Sequence, residues 1–249
     1  LDISHFTTDK VQRMSYMFDG CKKLAALDVN KFNTNNVTTM AYMFRDCHKI
    51  TSLDLSKNTA LTDLICRGNN LTSLDISKNT SLTYLNCINN NISTLDISNN
   101  AVLTELYCME NCLTSLDVSK NIALSELNCG FNNLNTLDVS NNTALTILIC
   151  WVNKLTSLDV TKNTALTELG CAANNITSLD LSKNITLSGL NCSFNDLTSL
   201  DVNKNIALYE LDCSFNNLTT LDLSKNTALT YLNCNNNNIN SLVVEKNTV

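Results

Sequence analysis

Apolar residues in this chain come in short alternating runs, and the runs themselves recur at fixed steps. The pair Leu-Asp begins at Leu53, Leu74, Leu95, Leu116, Leu137, Leu158, Leu179, Leu200 and Leu221, with Leu242-Val243 in the tenth place, each step being 21 residues. Upstream the pair sits at Leu1 and Leu27, and there both steps are 26, so the register changes near residue 53. In the unit Leu82 to Val102 the first half reads Leu82-x-x-Leu85-x-Cys87-x-x-Asn90-x-Ile92. The second half restarts as Ile92-x-x-Leu95-x-Ile97-x-x-Asn100. Spacing 2 is the period of a strand, and half a unit holds a strand and a turn but no helix. Each first half is predicted to form a strand, and each second half an extended or short 3₁₀ segment.

A single unit cannot bury its own leucines. Stacking at a strand spacing of about 4.8 Å places Leu85 between Leu64 and Leu106 and makes the core continuous. The turns use asparagine, in a column at Asn90, Asn111, Asn132, Asn153, Asn174, Asn195, Asn216 and Asn237. Asparagine tolerates left-handed backbone angles, and its amide can satisfy turn backbone groups or bond its neighbours along the column. The N-terminal part differs. Val11, Met14, Met17, Phe18, Cys21 and Leu24 recur as Val37, Met40, Met43, Phe44, Cys47 and Ile50. The spacing of Val11, Met14, Met17 and Phe18 predicts a short helix capped by Thr8 or Asp9.

These units, for example LTSLDVSKNIALSELNCGFNN, resemble leucine-rich-repeat surface proteins and are similar in length to internalin repeats. The first fifty residues, VQRMSYMFDGCKKLAALDVNKFNTNN and then VTTMAYMFRDCHKITSLDLSKN, resemble BspA-like surface proteins. The resemblance implies a leucine-rich-repeat solenoid of the right-handed α/β horseshoe class in a β-rich form. Residues 1–52 would be BspA-like repeats, continuous with 21-residue repeats over 53–249. It also implies an extracellular or cell-surface setting.

Composition narrows the function classes. The chain has no proline, five glycines, 44% hydrophobic residues and a net charge of −6. No basic patch is evident, which argues against nucleic acid as a partner. No apolar run approaches the roughly 18 residues needed to cross a bilayer, so direct membrane insertion is not expected. Leu1 already sits inside a repeat and Val249 ends in repeat rhythm, so the chain reads as a fragment whose targeting and anchoring segments lie elsewhere.

Of twelve cysteines, nine (Cys66, Cys87, Cys108, Cys129, Cys150, Cys171, Cys192, Cys213 and Cys234) fall on an inward position at spacing 21. That is not a zinc spacing, and a column of buried thiols is expected. Disulfides between stacked neighbours are the alternative, since the strand spacing falls within the Cα range for bridging, although parallel side chains would strain the torsion. An aspartate column (Asp54, Asp75, Asp96, Asp117, Asp138, Asp159, Asp180, Asp201, Asp222) is followed three residues on by a mostly lysine column. Lysine, serine and threonine are expected to compensate it, with divalent cations as the alternative. No metal or other cofactor is expected. His5 and His48 stand in no catalytic constellation, and there is no phosphate-binding loop.

The second half of the repeat is nearly constant (LTSLDLSKNTA, LTSLDISKNTS, LTSLDVTKNTA), whereas the outward positions of the first half vary. A varied surface on a fixed frame suits recognition. The varied positions carry Tyr84, Ile88, Tyr107, Met109, Phe131, Ile147, Ile149, Trp151, Val152, Phe194, Phe215 and Tyr231, with Glu105, Glu126, Glu168 and Glu210 in one outward column. The richest unit surrounds Trp151, the single tryptophan. These residues are the candidate face for a protein or glycan ligand, since exposed apolar patches and aromatic anchors mark interfaces. The competing reading is structural: Phe131, Phe194 and Phe215 form a stiffening ridge, and the chain is a spacer or an end-to-end assembling unit. Oligomeric state is left open.

Overall fold

The computed structural model describes Thr8, residues 10–24 and residues 36–244. It divides into two compact units, Leu1–Leu124 and Ser125–Val249. Both are stacks of coils, each contributing a short strand. In the first unit these are β1 (Thr39–Met40), β2 (Asp63–Ile65), β3 (Tyr84–Asn86) and β4 (Glu105–Tyr107). The second unit holds β5 (Glu126–Asn128), β6 (Ile147–Ile149), β7 (Glu168–Gly170), β8 (Gly189–Asn191), β9 (Glu210–Asp212), β10 (Thr220–Asp222), β11 (Tyr231–Asn233) and β12 (Ser241–Val243). Within the units the strands pair in parallel, Leu64↔Leu85↔Leu106 in the first and Leu127↔Leu148↔Leu169↔Leu190↔Leu211↔Leu232 in the second. The register therefore follows the 21-residue period. At the N-terminal end Thr39 pairs with Asp63, a step of 24 residues, and Arg13 bridges Thr39.

Strands form where the first half-repeat was expected to form them, because one face of the run is closed by the core. Leu148, the middle residue of β6, is fully buried, as are Leu145 and Cys150 on either side. Fully burying one leucine stabilises by about 1.5–3 kcal/mol, and every coil repeats the gain. The second half is extended and closes on tight turns: in one coil Asn163 N–H donates to Val160 O (3.0 Å) and Leu166 N–H to Asn163 O (3.1 Å). Only β10 and β12 turn this side into paired strands among the described residues, with Leu221 opposite Leu242.

The expected N-terminal helix is not formed. Tyr16 and Tyr42 have left-handed backbones, φ 63° and 60°, which interrupt any right-handed helix. The backbone donors go elsewhere: Tyr16, Phe18 and Gly20 donate to Ala41, Met43 and Arg45 of the next coil. Met14 and Phe18 are buried as the spacing requires, but through successive turns. Thr8 therefore caps no helix, and Asp9 lies outside the described residues. Outside the core, Tyr16 stacks on Tyr42 at 4.8 Å, and Arg45 forks onto Asp19 (Nε–Oδ1 2.8 Å, Nη2–Oδ2 2.6 Å).

The asparagine column satisfies turn backbone groups, as its sequence reading allowed, but does not itself take the left-handed angle. The left-handed residue is the one before each asparagine: Asn89, Glu110, Phe131, Val152, Ala173, Phe194, Phe215 and Asn236. The asparagine amide brackets that turn. Asn90 Nδ2 donates to Cys87 O (3.0 Å) and Cys66 O (3.2 Å), while its Oδ1 accepts from Leu71 N–H (3.0 Å). Asn174 and Asn195 repeat the arrangement on their own coils. These amides bond backbone carbonyls, not one another. A Val152 backbone at φ 49° is costly for a β-branched residue, and this bracketing is what holds it.

None of the twelve cysteines forms a disulfide, and the inward column from Cys66 to Cys213 is buried. Ellman's reagent added to the native protein is expected to label the exposed Cys21 and Cys112 quickly and the half-buried Cys234 more slowly. The column should react only after denaturation. Fast labelling of a Cys129-only variant under native conditions would show that this thiol is not sealed in the core.

Candidate recognition face

The first and third residues of each strand point away from the core, so their identity varies without disturbing the leucine stack. In the first unit this places Tyr84 and Tyr107 on neighbouring strands, with ring centroids 5.5 Å apart. The Tyr107 hydroxyl donates to Glu105 Oε2 at 3.1 Å, and Met109 and Ile88 lie half-buried just beyond the strands. The second unit carries Ile147, Ile149, Trp151 and Tyr231 of the expected set on its strands or directly after them. Phe131, Val152, Phe194 and Phe215 stand instead at the left-handed turn position. Phe194 and Phe215 stack face to face at 4.1 Å and 9°, a local ridge. Phe131 is three coils away from Phe194 and outside that stack.

Within the second unit the strand face opens into a notch of ≈ 210 Å³ bounded by Ile149 and Trp151 on one side and Tyr209 and Glu210 on the other. Gly170 and Gly189 form its floor, and Glu168 and Asn191 complete it. Elsewhere on the same unit these two columns carry Glu126, Ile147 and Tyr231, and Asn128, Ile149 and Asp212. Two adjacent glycines therefore remove two neighbouring side chains from an otherwise covered sheet. A Cβ on Gly189 would meet only the Glu168 side chain, at 3.7 Å, whereas one on Gly170 would press on Ile149 Cδ1 at 3.0 Å. The Trp151 indole lies across the bare backbone of Gly130, where a Cβ would collide with it, and its Cε3 edge reaches the Gly170 side. Trp151 Nε1 is buried and finds no acceptor among the described residues.

The aspartate column lies outside this face and is internally satisfied. Asp159 Oδ1 accepts from Thr161 N–H (2.8 Å) and Oγ1–H (2.7 Å), and the hydroxyl bond is the main cause that holds its carboxyl below the usual range. Asp75, Asp96 and Asp180 accept likewise from Ser77, Ser98 and Ser182 and are lowered by those bonds. Lysines contribute a smaller attraction at Asp75 and Asp180. Among the described residues no three histidine, cysteine, aspartate or glutamate side chains converge on a common metal position. His48 sets Nδ1 3.1 Å from Gly68 O, and His5 lies outside the described residues.

Solved structures share this architecture. A leucine-rich-repeat protein of Leptospira interrogans, LIC12759, matches 84% of the chain at 24% identity and TM-score 0.69, over 63% of its own length. Internalin InlF of Listeria monocytogenes matches 78% at 22% identity and TM-score 0.60, over 72% of its own length. The chain has the leucine-rich-repeat solenoid fold. The functional domain of InlJ from Listeria monocytogenes, which includes a cysteine ladder, is 35% identical over 82% of the chain and 59% of that domain, with TM-score 0.49. The leucine-rich-repeat chain thus spans 59% and 63% of the length of InlJ's domain and of LIC12759. Residues 1–123 match the family described as a Mycoplasma protein of unknown function, DUF285. No curated protein matches the sequence.

Tyr209, Gly170 and Gly189 were not among the residues expected on the face, although the sequence signals them. They stand at the outward positions of units reading ELGCAANN, LSGLNCSFN and LYELDCSFN, where neighbouring units carry larger or different side chains.

Proposed function

We propose that this leucine-rich-repeat chain is a non-catalytic recognition module of a cell-surface or secreted protein, binding a protein or glycan ligand in adhesion or host interaction. The BspA-like assignment of residues 1–52, with 21-residue repeats following over 53–249, belongs to the same reading. The supporting observation is that the outward strand residues around Trp151 differ from coil to coil while the residues beneath them, Leu127, Leu148, Leu169 and Leu190, do not. A surface that only separated two other domains would need no such variation. Trp151, Ile149, Ile147 and Tyr231 are the anchors proposed on the second unit, with Tyr84, Tyr107 and Met109 on the first. The stacked Phe194 and Phe215 suit the structural alternative better, because their faces are spent on each other.

The test is binding of the intact protein to an array of extracellular proteins and glycans, with Trp151→Ala alongside. Loss of an anchoring tryptophan is expected to cost about 2 kcal/mol or more, roughly thirtyfold in Kd. A ligand bound equally by both proteins removes Trp151 from the interface.

A further inference from the structure

The notch beside Trp151 has a charge pattern that selects its occupant. Glu168, Gly189 and Glu210 are consecutive in one row across β7, β8 and β9, in direct register. Two carboxylates therefore flank a place with no side chain, two strand spacings or about 10 Å apart at the backbone. Glu168 leans over that place, its Cδ 3.9 Å from where a Gly189 Cβ would be. Neither glutamate makes an ion pair among the described residues. The described lysines of this unit (Lys154, Lys162, Lys183, Lys204 and Lys225) all lie outside the strands and the notch lining. Trp151 and Tyr209 stand at opposite corners of the opening, and Ile149 adds an apolar wall.

Paired uncompensated carboxylates, aromatic side chains and an apolar wall are what a long basic side chain requires. The ammonium or guanidinium head meets carboxylate oxygens and aromatic faces, and the methylene stem lies along apolar surface. From this geometry we infer that the notch receives a lysine or arginine side chain of a protein partner, the cation resting at the Gly189 position between Glu168 and Glu210. This inference rests on the recognition reading above and specifies its chemistry at one place.

Trp151 is the single tryptophan, so its fluorescence reports on the notch directly. The intact protein is titrated with three probe peptides of equal length, (Gly-Lys)n, (Gly-Glu)n and (Gly-norleucine)n, and with chitotriose. The lysine peptide is expected to change Trp151 emission saturably, with affinity falling as salt rises. Glu168→Gln/Glu210→Gln should weaken it at least tenfold. Gly189→Tyr, which introduces the side chain that the same row carries at Tyr231, should abolish the response by filling the space. The two glutamates are exposed and Gly189 is a half-buried outward position, and circular dichroism checks that both variants fold. No response to the lysine peptide, an equal response to the norleucine peptide, or one unchanged in the double glutamine variant would overturn the inference. A stronger response to chitotriose would do so too, while leaving the recognition reading standing. If an array ligand loses affinity with Trp151→Ala but not with Gly189→Tyr or the glutamine pair, the basic-side-chain inference fails alone. If it is indifferent to all three, the placement of the face fails with it.

Discussion

Raising the pH of a reducing solution from 8 towards 11 is expected to unfold this protein cooperatively, because its core contains a column of thiols. Burial is the first cause in every case: it pushes Cys87, Cys129, Cys171 and Cys213 up to about 12, and raises Cys66, Cys150 and Cys192 as well. In the unfolded chain a cysteine ionises near 8.5. Between those two values the unfolded state has lost the proton that the folded state still holds. The stabilisation from these groups is thus complete below about pH 8.5 and is lost as pH rises towards 12. Each thiol contributes a loss of roughly 1.4 kcal/mol per pH unit in that window. Four such thiols together would remove on the order of 5 kcal/mol per unit, against a net stability of 5–15 kcal/mol for an ordinary domain. The transition should therefore fall about one to three units above the unfolded-chain value. Far-ultraviolet circular dichroism and thiolate absorbance, followed together, should change in one step. Cys129→Val and Cys171→Val, which put a somewhat larger apolar side chain without an ionisable proton in the column, should shift the transition to higher pH. Thiolate absorbance that climbs gradually while the dichroism stays native would mean that the column is accessible to hydroxide.

The same column shows why so much of the fold was legible in the sequence. Each coil solves one burial problem with the same residues, so Leu148, Cys150 and Asn153 are read from periodicity alone, and the strands follow at the first half of each unit. Periodicity fails where it fixes which side chains are inside but not where the backbone donors go. Met14 and Phe18 have helical spacing and are buried, yet Tyr16, Phe18 and Gly20 give their N–H groups to the adjacent coil. The left-handed position was misplaced for a related reason. Asparagine was read both as tolerating that conformation and as satisfying turn backbone groups; only the second holds, its amide bracketing the turn while Phe131, Val152 and Phe215 take the angle.

The candidate site was half legible. Searching the outward positions for large side chains finds Trp151, Ile149 and Ile147. A notch is defined by what is missing, and Gly170 and Gly189 carry no hydrophobic signal. The 21-residue period nevertheless makes Glu168, Gly189 and Glu210 neighbours before any coordinates exist. What periodicity could not supply is the lean of Glu168 over Gly189, or the seating of the Trp151 indole on Gly130.

A second asparagine column, buried more deeply than the first, leads to the largest single-residue effect expected here. Asn184→Asp replaces one amide by a group of nearly the same shape and should destabilise the protein by about 3–5 kcal/mol at neutral pH. Asn184 is fully buried, and its Nδ2 donates to Val160 O (3.0 Å) and Asn163 O (2.8 Å), both on the preceding coil. Asn163, Asn205 and Asn226 do the same on their own coils. These amides hold coil to coil on the side where strand pairing is confined to β10 and β12 among the described residues. The Asn184 Oδ1 takes no partner, so the residue serves as a double donor. A carboxylate has no donor to offer and sets negative oxygen against two carbonyl oxygens in a site closed to water. Protonation would restore one donor, and burial together with the facing carbonyls would raise the introduced carboxyl above its unfolded value near 3.9. The defect should accordingly shrink as pH falls through that raised value and be largest above it. Asn184→Ser, which keeps one short donor and no charge, should cost less, about 1–3 kcal/mol. Urea melts of the three proteins at pH 7 and pH 5 measure both the order and the pH trend. Equal midpoints for Asn184→Asp and the parent at pH 7 would mean that the coils are held by their leucines alone.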